Sequence, residues 1–332
     1  PRLRLDPVGI STLTISSQIA PIVLARQTVT RNVPGDLLPL EVMFSGQLVR
    51  DVPPLDVVVV RAGGGRRTVP LAAAHRAVDA DDGGGVVVYV PGWWNTPQDE
   101  AARAVLGALL PHHRAPLVLD TRPAFARGYL SAAARVRPVA AQLAAFLVRL
   151  ARAEDGGGGT PPSEVHLVGF SLGAHVAGLA GRLLAERTGE VLARITALDP
   201  AKPCFGRATA AGARLARSDA AFVQAVHSSP GVLGLMEPVG HTDVYVNGLG
   251  PQPSCAAGAG GGQVSFECDH NVSWRVFAAS ARRGGAGMAG RRCRSWRELD
   301  ALACTGRRAL LGYHCTNTSR GIYLYKTTED NL

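Results

Sequence analysis

The sequence predicts an α/β fold in which a central, mostly parallel sheet is flanked by helices. Short apolar runs of strand length alternate with helical patterns along the chain, and glycine-rich breaks separate them. Strands that alternate with helices are joined by right-handed crossovers, which makes the sheet mostly parallel. With 332 residues, 46% of them hydrophobic, the chain can bury a large core. We expect a single domain over residues 56–332, after a proline-punctuated segment, 1–55, whose pattern predicts no element.

The individual elements follow from local patterns. Short apolar runs predict strands at residues 56–61, 86–90, 116–120, 195–198 and 222–226. Apolar residues at helical spacing predict helices over 100–110 and 132–152. Glycine clusters, none followed by the G-K-[ST] of a phosphate-binding loop, predict surface loops at 63–65, 83–85, 156–159 and 258–262.

The most informative stretch is a strand, a tight turn and a helix around Ser171. The apolar run 165–168 enters Gly169-Phe170-Ser171-Leu172-Gly173, and small or apolar residues then recur at helical spacing. In a nucleophile elbow, glycines flank the serine because no larger side chain fits where strand and helix meet. The stretch therefore predicts an α/β-hydrolase fold with the Ser171 hydroxyl above the sheet. The alternative is a chance match in a chain with 39 glycines.

An elbow serine needs an acid, which follows it at the end of a later strand. Asp199 closes the apolar strand 195–198 and stands where this rule places the acid. Its alternative role is a cap of the following turn. The competing carboxylates, none of which closes a clean apolar strand, are Asp219, Asp243 and Glu267.

The base comes later still, and four histidines compete for the role: His227, His241, His270 and His314. A lone histidine is usually structural, and positions 227 and 241, after a strand and in a glycine-rich turn, offer such roles. His270 is favoured because Cys268 stands beside it, so that a disulfide would pin the loop that carries the imidazole.

The six cysteines lie in the last 40% of the chain, with no C-x-x-C pair and no metal-ligand spacing. An even, clustered set is typical of disulfides in an oxidising compartment, and sequons at Asn271 and Asn317 are compatible with one. We therefore expect secretion and no metal; buried thiols in a cytosolic enzyme are the alternative. No run approaches the roughly 18 apolar residues of a membrane span.

The chain carries a formal net charge of +9, most of it from arginine. A basic patch is a candidate site for anionic lipid headgroups or sulfated polysaccharide, whereas no nucleic-acid recognition module accompanies it. An arginine-rich coding style is the alternative explanation. The patch consists of Arg282, Arg283, Arg291, Arg292, Arg294, Arg297, Arg307 and Arg308.

Five motifs, in this order, resemble the pancreatic lipase family over about residues 86–325. They are Gly169-Phe170-Ser171-Leu172-Gly173-Ala174-His175-Val176-Ala177-Gly178, Leu198-Asp199-Pro200-Ala201, Gly240-His241-Thr242-Asp243-Val244-Tyr245 with Asn247-Gly248, Gln252-Pro253-Ser254-Cys255 and Cys268-Asp269-His270. The resemblance is to an animal, insect-type neutral lipase or phospholipase A1. It implies a secreted carboxylic ester hydrolase that acts on lipids at a membrane or lipoprotein surface, without a cofactor.

The resemblance implies Ser171 as nucleophile, Asp199 as acid and His270 as base, in agreement with the choice from the residues. It places the oxyanion hole at the backbone N–H groups of Trp93 and Leu172. Where the family has a His-Gly pair before the aromatic residue, this chain has Pro91, which puts the geometry of that loop in doubt. A non-catalytic lipid-binding or yolk-like storage protein on the same fold is therefore the alternative function.

Four further expectations follow from the resemblance. Residues 256–267 correspond to the lid, and a lid this short favours phospholipase A1 over triacylglycerol lipase. The family pattern implies disulfides Cys255–Cys268 and Cys293–Cys304, which leaves Cys204 and Cys315 as the remaining pair. Residues 56–332 are expected to form the lipase catalytic domain without a C-terminal β-sandwich. Colipase is therefore not expected as a partner.

Overall fold

The computed structural model describes residues 51–78, 85–152, 159–207, 209, 212–256, 266–282 and 288–327. Several expectations fall largely or wholly outside these ranges. They are the N-terminal segment up to residue 50, the glycine-rich loops at 83–85, 156–159 and 258–262, most of the lid segment 256–267, and Arg283. The division at residue 56 into two segments stays a prediction.

One sheet of eleven strands organises the described residues. The strands are β1 Asp56–Val60, β2 Arg66–Pro70, β3 Val86–Val90, β4 Leu117–Leu119, β5 Val165–Phe170, β6 Arg194–Leu198, β7 Phe222–His227, β8 Thr242–Val246, β9 Ala289–Arg292, β10 Arg308–Leu310 and β11 Gly321–Tyr325. Their order is β10-β9-β11-β8-β7-β6-β5-β3-β4-β1-β2. Neighbours from β11 to β4 pair in parallel, and antiparallel strands extend the sheet at both ends. The predicted mostly parallel sheet is confirmed.

Helices cover both faces of the sheet. They are α1 Glu100–Leu109, α2 Arg122–Phe125, α3 Tyr129–Arg152, α4 Leu172–Thr188, α5 Pro253–Ala256, α6 Phe266–Arg282 and α7 Trp296–Asp300. Alternate side chains of a strand point to opposite faces, so a strand covered on both sides must be apolar throughout. In β3, Val86, Val88 and Val90 share a core with α3 and α4, whereas Val87 and Tyr89 share one with α1 and α6. The architecture is the predicted α/β-hydrolase fold.

The strands and helices predicted from apolar patterns are all present, with ends shifted by three residues at most. The strands that the pattern did not predict are β2 and β8–β11, most of which lie toward the two edges of the sheet. β9 reads AGRR and β10 reads RAL, so neither shows the apolar run of a central strand. Much of the expected arginine patch lies here, where Arg291 of β9 pairs with Arg308 of β10. Its ligand stays a prediction.

Two of the three expected disulfides are present, Cys255–Cys268 and Cys293–Cys304. The third is wrong, because Cys204 and Cys315 are both free thiols. Cys204 follows the carboxyl end of β6, whereas the carbonyl of Cys315 accepts a hydrogen bond of 3.2 Å from Arg194, the first residue of that strand. A strand of this length spans about 16 Å, and a disulfide joins Cα atoms no more than about 7 Å apart.

Candidate active site

Ser171 lies in the turn between β5 and α4, with a backbone φ of 55°. A non-glycine residue with positive φ is uncommon and is the conformation that an elbow imposes on its serine. The flanking glycines are required by close packing: a Cβ at Gly173 would lie 2.6 Å from the carbonyl oxygen of Pro91, and one at Gly169 would lie 2.6 Å from the Cα of Ala174. The strand, turn and helix expected around Ser171 are present.

Asp199 follows β6, the strand next to β5 in the sheet. Its backbone N–H donates to Val226 at 2.7 Å, and its side chain is fully buried. The carboxylate accepts the N–H groups of Ser228 and Ser229 at 2.8 and 3.1 Å, and the Ser229 hydroxyl donates to it as well. Because these partners come from the end of the neighbouring β7, the carboxylate is held between the carboxyl ends of β6 and β7.

His270 completes the group from the opposite direction. It lies in the second turn of α6, not on a loop as expected, and its Nδ1 is 2.6 Å from Oδ2 of Asp199. The ring packs on Phe170, the residue before Ser171, with centroids 4.6 Å apart. A neutral imidazole that donates from Nδ1 carries its lone pair on Nε2, the nitrogen that a general base needs.

The electrostatics keep Asp199 ionised. Burial alone would raise its pKa, but the bond to His270, the attraction of that imidazole and the bonds from Ser229 and Ser228 outweigh burial and bring the pKa below its usual value. Asp199 can therefore orient the imidazole and stabilise its cation across the neutral pH range.

A second histidine and carboxylate pair, His227 with Asp243, is also buried. The His227 Nε2 lies 3.0 Å from Asp243 Oδ1, and its Nδ1 lies 3.0 Å from the carbonyl oxygen of Leu235. Both ring nitrogens are therefore engaged with oxygen atoms, and neither can accept a proton from a nucleophile. This pair is structural. His227 and Asp243 are therefore excluded as the candidate base and acid.

Two of the other competitors have partners of their own. Asp219 forms an ion pair of 2.7 Å with Arg182, and the Nδ1 of His241 accepts the N–H of Val223 at 3.0 Å. The remaining two, an exposed carboxylate in the first turn of α6 and a histidine in the turn before β11, are Glu267 and His314.

The loop after β3 lies against the elbow. A Cβ at Gly92 would be 2.8 Å from the Cβ of Ser171, so the backbone of residues 91–93 passes directly beside the serine. The side chain of Trp93 is fixed by a 2.6 Å bond from its Nε1 to the carbonyl of Arg127. Pro91 ends β3 without removing the Trp93 N–H. The expected oxyanion role of the Trp93 and Leu172 amides stays a prediction.

Sequence reasoning did not single out three polar residues around the group. Ser229 donates to Asp199, while the Gln252 side chain donates to the carbonyls of Ser228 and Val246 at 2.7 and 2.9 Å. The third is Asp269, whose Oδ1 accepts the backbone N–H of Gln252 at 3.0 Å. Ser229 had a signal in its position after the carboxyl end of a predicted strand. Gln252 and Asp269 stand in two of the five motifs, but the motifs indicated no role for either side chain.

The described ranges contain no group of three or more His, Cys, Asp or Glu side chains placed to hold a metal ion. They also contain no helix with the length and apolar character needed to cross a membrane.

The chain matches a family model described as Lipase over residues 68–329, most of its length. It belongs to the lipase family. The resemblance seen in the five motifs is thereby confirmed, while the insect-type origin stays a prediction.

Several curated vertebrate proteins are similar to this lipase-family chain. Lipase member H-B of Xenopus laevis is 35% identical over 187 residues, which are 56% of this chain and 38% of that protein. Phospholipase A1 member A of Rattus norvegicus is 39% identical over 152 residues, which are 46% of this chain and 31% of that protein. The matches thus span about a third of the relatives' own length.

Solved structures give weaker likenesses. The carboxylesterase EstE1 from a metagenomic library is 16% identical, with a TM-score of 0.27 over 46% of this chain and 49% of that one. The esterase Pf2001 of Pyrococcus furiosus is 20% identical, with a TM-score of 0.26 over 52% of this chain and 54% of that one. Likenesses at this level say nothing about activity.

Proposed function

We propose that this lipase-family chain is a carboxylic ester hydrolase that acts on lipids through Ser171, His270 and Asp199. The observation that carries the proposal is the 2.6 Å bond between His270 and the buried Asp199 beside the serine of a strained elbow. Burying the Asp199 carboxylate and holding Ser171 at positive φ both cost free energy. Two costly features at one site favour a catalytic protein over a storage protein.

In the proposed acylation step, Ser171 attacks the ester carbonyl carbon while His270 Nε2 takes the hydroxyl proton. The new C–O bond forms as the carbonyl π electrons move to oxygen, which becomes the tetrahedral oxyanion. Collapse breaks the bond to the alcohol, and the imidazolium returns the proton to that leaving oxygen. Asp199 stabilises the imidazolium without taking its proton.

The oxyanion would accept N–H bonds from Trp93 and Leu172. Loss of one such donor costs about 10²- to 10³-fold in kcat, so the loop that follows Pro91 decides how fast the enzyme is. In the second half of the reaction, His270 takes a proton from a water molecule as that water attacks the acyl carbon. The bond from this carbon to Ser171 Oγ then breaks, the imidazolium returns the proton to Oγ, and the fatty acid is released.

The proposed substrate is a phospholipid cleaved as by a phospholipase A1, with triacylglycerol as the competing class. Support comes from the short segment between Cys255 and Cys268, since a small lid can cover little apolar surface. One similar protein is itself described as a phospholipase A1. The two disulfides support secretion, because such bonds persist in oxidising compartments.

The test is fatty-acid release from phosphatidylcholine vesicles and from trioleoylglycerol emulsion, with wild type and Ser171→Ala compared side by side. We expect release that falls about 10⁴-fold or more in Ser171→Ala, with the vesicles as the preferred substrate. No release from either substrate, by a folded protein that also ignores a serine-directed phosphonate, would contradict the proposal and favour the non-catalytic lipid-binding alternative.

A further inference from the structure

Two asparagines of the chain stand in the N-x-[ST] pattern that accepts an N-linked glycan. They are Asn271, before Val272-Ser273, and Asn317, before Thr318-Ser319. The pattern alone does not distinguish them. A glycan is a bulky, hydrated group, so a folded chain tolerates one only where the asparagine side chain reaches solvent. The surroundings of the two side chains therefore decide which one can be modified.

Asn271 lies within the helix that carries the candidate base. It directly follows His270 in the second turn of α6, is half-buried, and accepts the indole N–H of the buried Trp274 at 3.0 Å through its Oδ1. The Arg275 guanidinium lies over the same indole, 5.2 Å from its centroid. The other two residues of this sequon are fully buried, and Ser273 Oγ donates to the carbonyl of His270 at 2.9 Å. A sugar on the Asn271 amide would crowd the turn that positions the imidazole.

Asn317 lies at the tip of an exposed turn. The N–H of Ser319 donates to the carbonyl of Thr316 at 3.0 Å, which makes Asn317 and Thr318 the central residues of a four-residue turn. Both central residues are exposed, whereas Ser319 is buried. The Thr316 hydroxyl is 2.9 Å from that of Thr318 and 3.3 Å from that of Ser319. These bonds hold the turn without the Asn317 amide, which a glycan can therefore occupy without disturbing them.

The turn lies at the edge of the sheet opposite Ser171. It precedes β11, whose first residue, Gly321, pairs with Thr242, the first residue of β8. The Thr242 hydroxyl donates to the carbonyl of Ser319, and the N–H of Gly321 donates to the carbonyl of His241 at 2.9 Å. The turn is thus fixed at the amino ends of parallel strands, whereas the elbow serine follows the carboxyl end of β5. The length of a strand, about 16 Å, separates the two edges.

We propose that Asn317, and not Asn271, carries an N-linked glycan when the chain passes through a secretory pathway. The donor is an oligosaccharide linked to a lipid diphosphate. In the transfer, the Asn317 amide nitrogen attacks the anomeric carbon of the first sugar. The new C–N bond forms, the C–O bond to the diphosphate breaks with its electron pair leaving on the diphosphate, and the amide loses one proton.

The inference rests on the secretion that the proposed function includes, but on none of the catalytic side chains. Sugar transfer precedes folding, so Asn271 is also reachable in the unfolded chain. A chain modified there could not pack the second turn of α6 around His270. Folded, secreted protein should therefore carry its glycan at Asn317 alone, on the edge of the sheet away from Ser171.

The experiment expresses the 332-residue chain behind a secretory leader in animal cells. The glycan is removed enzymatically in heavy-oxygen water, which converts each modified asparagine to labelled aspartate, and peptide mass spectrometry locates the label. We expect label at Asn317 and none at Asn271. Asn317→Gln should migrate on a gel like enzyme-treated wild type. The matched control, Thr318→Ala, changes the same turn but keeps the acceptor and Ser319, so it should retain the glycan.

Label at Asn271 in folded, secreted protein would overturn the inference, as would secreted wild type without label at Asn317. Chains retained in the cell are recovered from the microsomal lumen and mapped in the same way, and lack of label at Asn317 there would overturn it equally. Loss of the glycan in Thr318→Ala as well as in Asn317→Gln would contradict the assignment to the sequon.

Ester hydrolysis tests the proposed function separately. Glycosylated wild type, enzyme-treated wild type and Asn317→Gln should hydrolyse p-nitrophenyl butyrate at the same rate, because the glycan lies at the far edge of the sheet. No hydrolysis by any of the three would refute the proposed function and leave the mapped glycan standing. A lower rate in the glycosylated protein alone would contradict the placement of the glycan away from Ser171.

Discussion

Ser229 is the side chain whose role at the site is most open to direct measurement. Its hydroxyl donates to Asp199 Oδ2, the oxygen that also accepts from His270, and it accepts the N–H of Gly234 at 3.1 Å. The hydroxyl therefore ties the carboxylate to the loop that follows β7. In the proposed reaction Ser229 is a positioning residue, since it would act on the imidazole through Asp199.

Replacing Ser229 by alanine should lower kcat about 10- to 150-fold, the effect of losing one hydrogen bond of about 1.5–3 kcal/mol to a charged group. KM should change little because the substrate does not contact this hydroxyl. The acidic limb of the pH profile should also move to higher pH, because the Ser229 hydroxyl bond is one of those that lower the pKa of Asp199. Ser229→Thr, which keeps the hydroxyl, is the control. A kcat loss without any shift of the pH profile would indicate a purely structural role.

Asp269 gives a prediction about pH and stability. Burial raises its pKa to about 6, and the nearby Asp199 charge adds to this while the N–H of Gln252 opposes it. Because the folded pKa exceeds the usual value of about 4, the contribution of Asp269 to stability is complete below that value and is lost as pH rises through about 6. Asp269→Asn cannot ionise. Its free energy of unfolding relative to wild type should therefore increase between about pH 4 and 7.5.

Urea unfolding across that pH range measures the difference. Asp300→Asn, which makes the same change of charge at an exposed position at the end of α7, is the control against which the Asp269→Asn difference is compared. A relative stability of Asp269→Asn that stays constant or decreases on raising the pH would contradict the assignment.

At the scale of elements, the contact between α4 and β3 fixes the elbow. A Cβ at Gly173 would overlap the carbonyl oxygens of Val90 and Pro91, and backbone atoms cannot move aside without displacing the strand. Gly173→Ala should therefore lower the free energy of unfolding by at least about 3 kcal/mol.

The matched control is Gly107→Ala. Gly107 lies in the exposed face of α1, and no atom lies within 4 Å of the added Cβ. Alanine there should be neutral or stabilising by up to about 1 kcal/mol because glycine weakens a helix. Equal urea midpoints for the two variants would show that the close approach at the elbow is not what requires glycine.

The packing of each strand explains which elements could be predicted from the sequence. The central strands β3, β5, β6 and β7 are covered by helices on both faces and read as apolar runs, so periodicity found them. Strand β8 contains Asp243, whose carboxylate contacts the buried His227 in the folded chain. The sequence alone does not show this contact, so β8 did not read as a buried strand. The edge strands are polar on their open sides and lack the pattern altogether.

At the scale of the whole molecule, the sheet keeps two of the six cysteines apart. Cys204 lies beyond the carboxyl end of β6 and Cys315 beside its amino end, so the folded chain should contain two disulfides and two thiols. Thiol titration of unfolded, unreduced protein should give two groups per chain, and six after reduction. Peptide mapping should find Cys204 and Cys315 unmodified by any bridge. A linked peptide joining those two residues would contradict this placement.

The sequence by itself determined the fold class, the elbow around Ser171 and the choice of Asp199, because each depends on local patterns: apolar periodicity, glycines flanking a serine, and a carboxylate at the end of a strand. It placed His270 beside a disulfide but on the wrong kind of element, since the polar first turn of α6 carries little helical signal. Only the tertiary structure decided which histidine meets Asp199 and which cysteines meet. Those are distances between residues far apart in the chain, and they are fixed by the order of strands in the sheet, which no local pattern records.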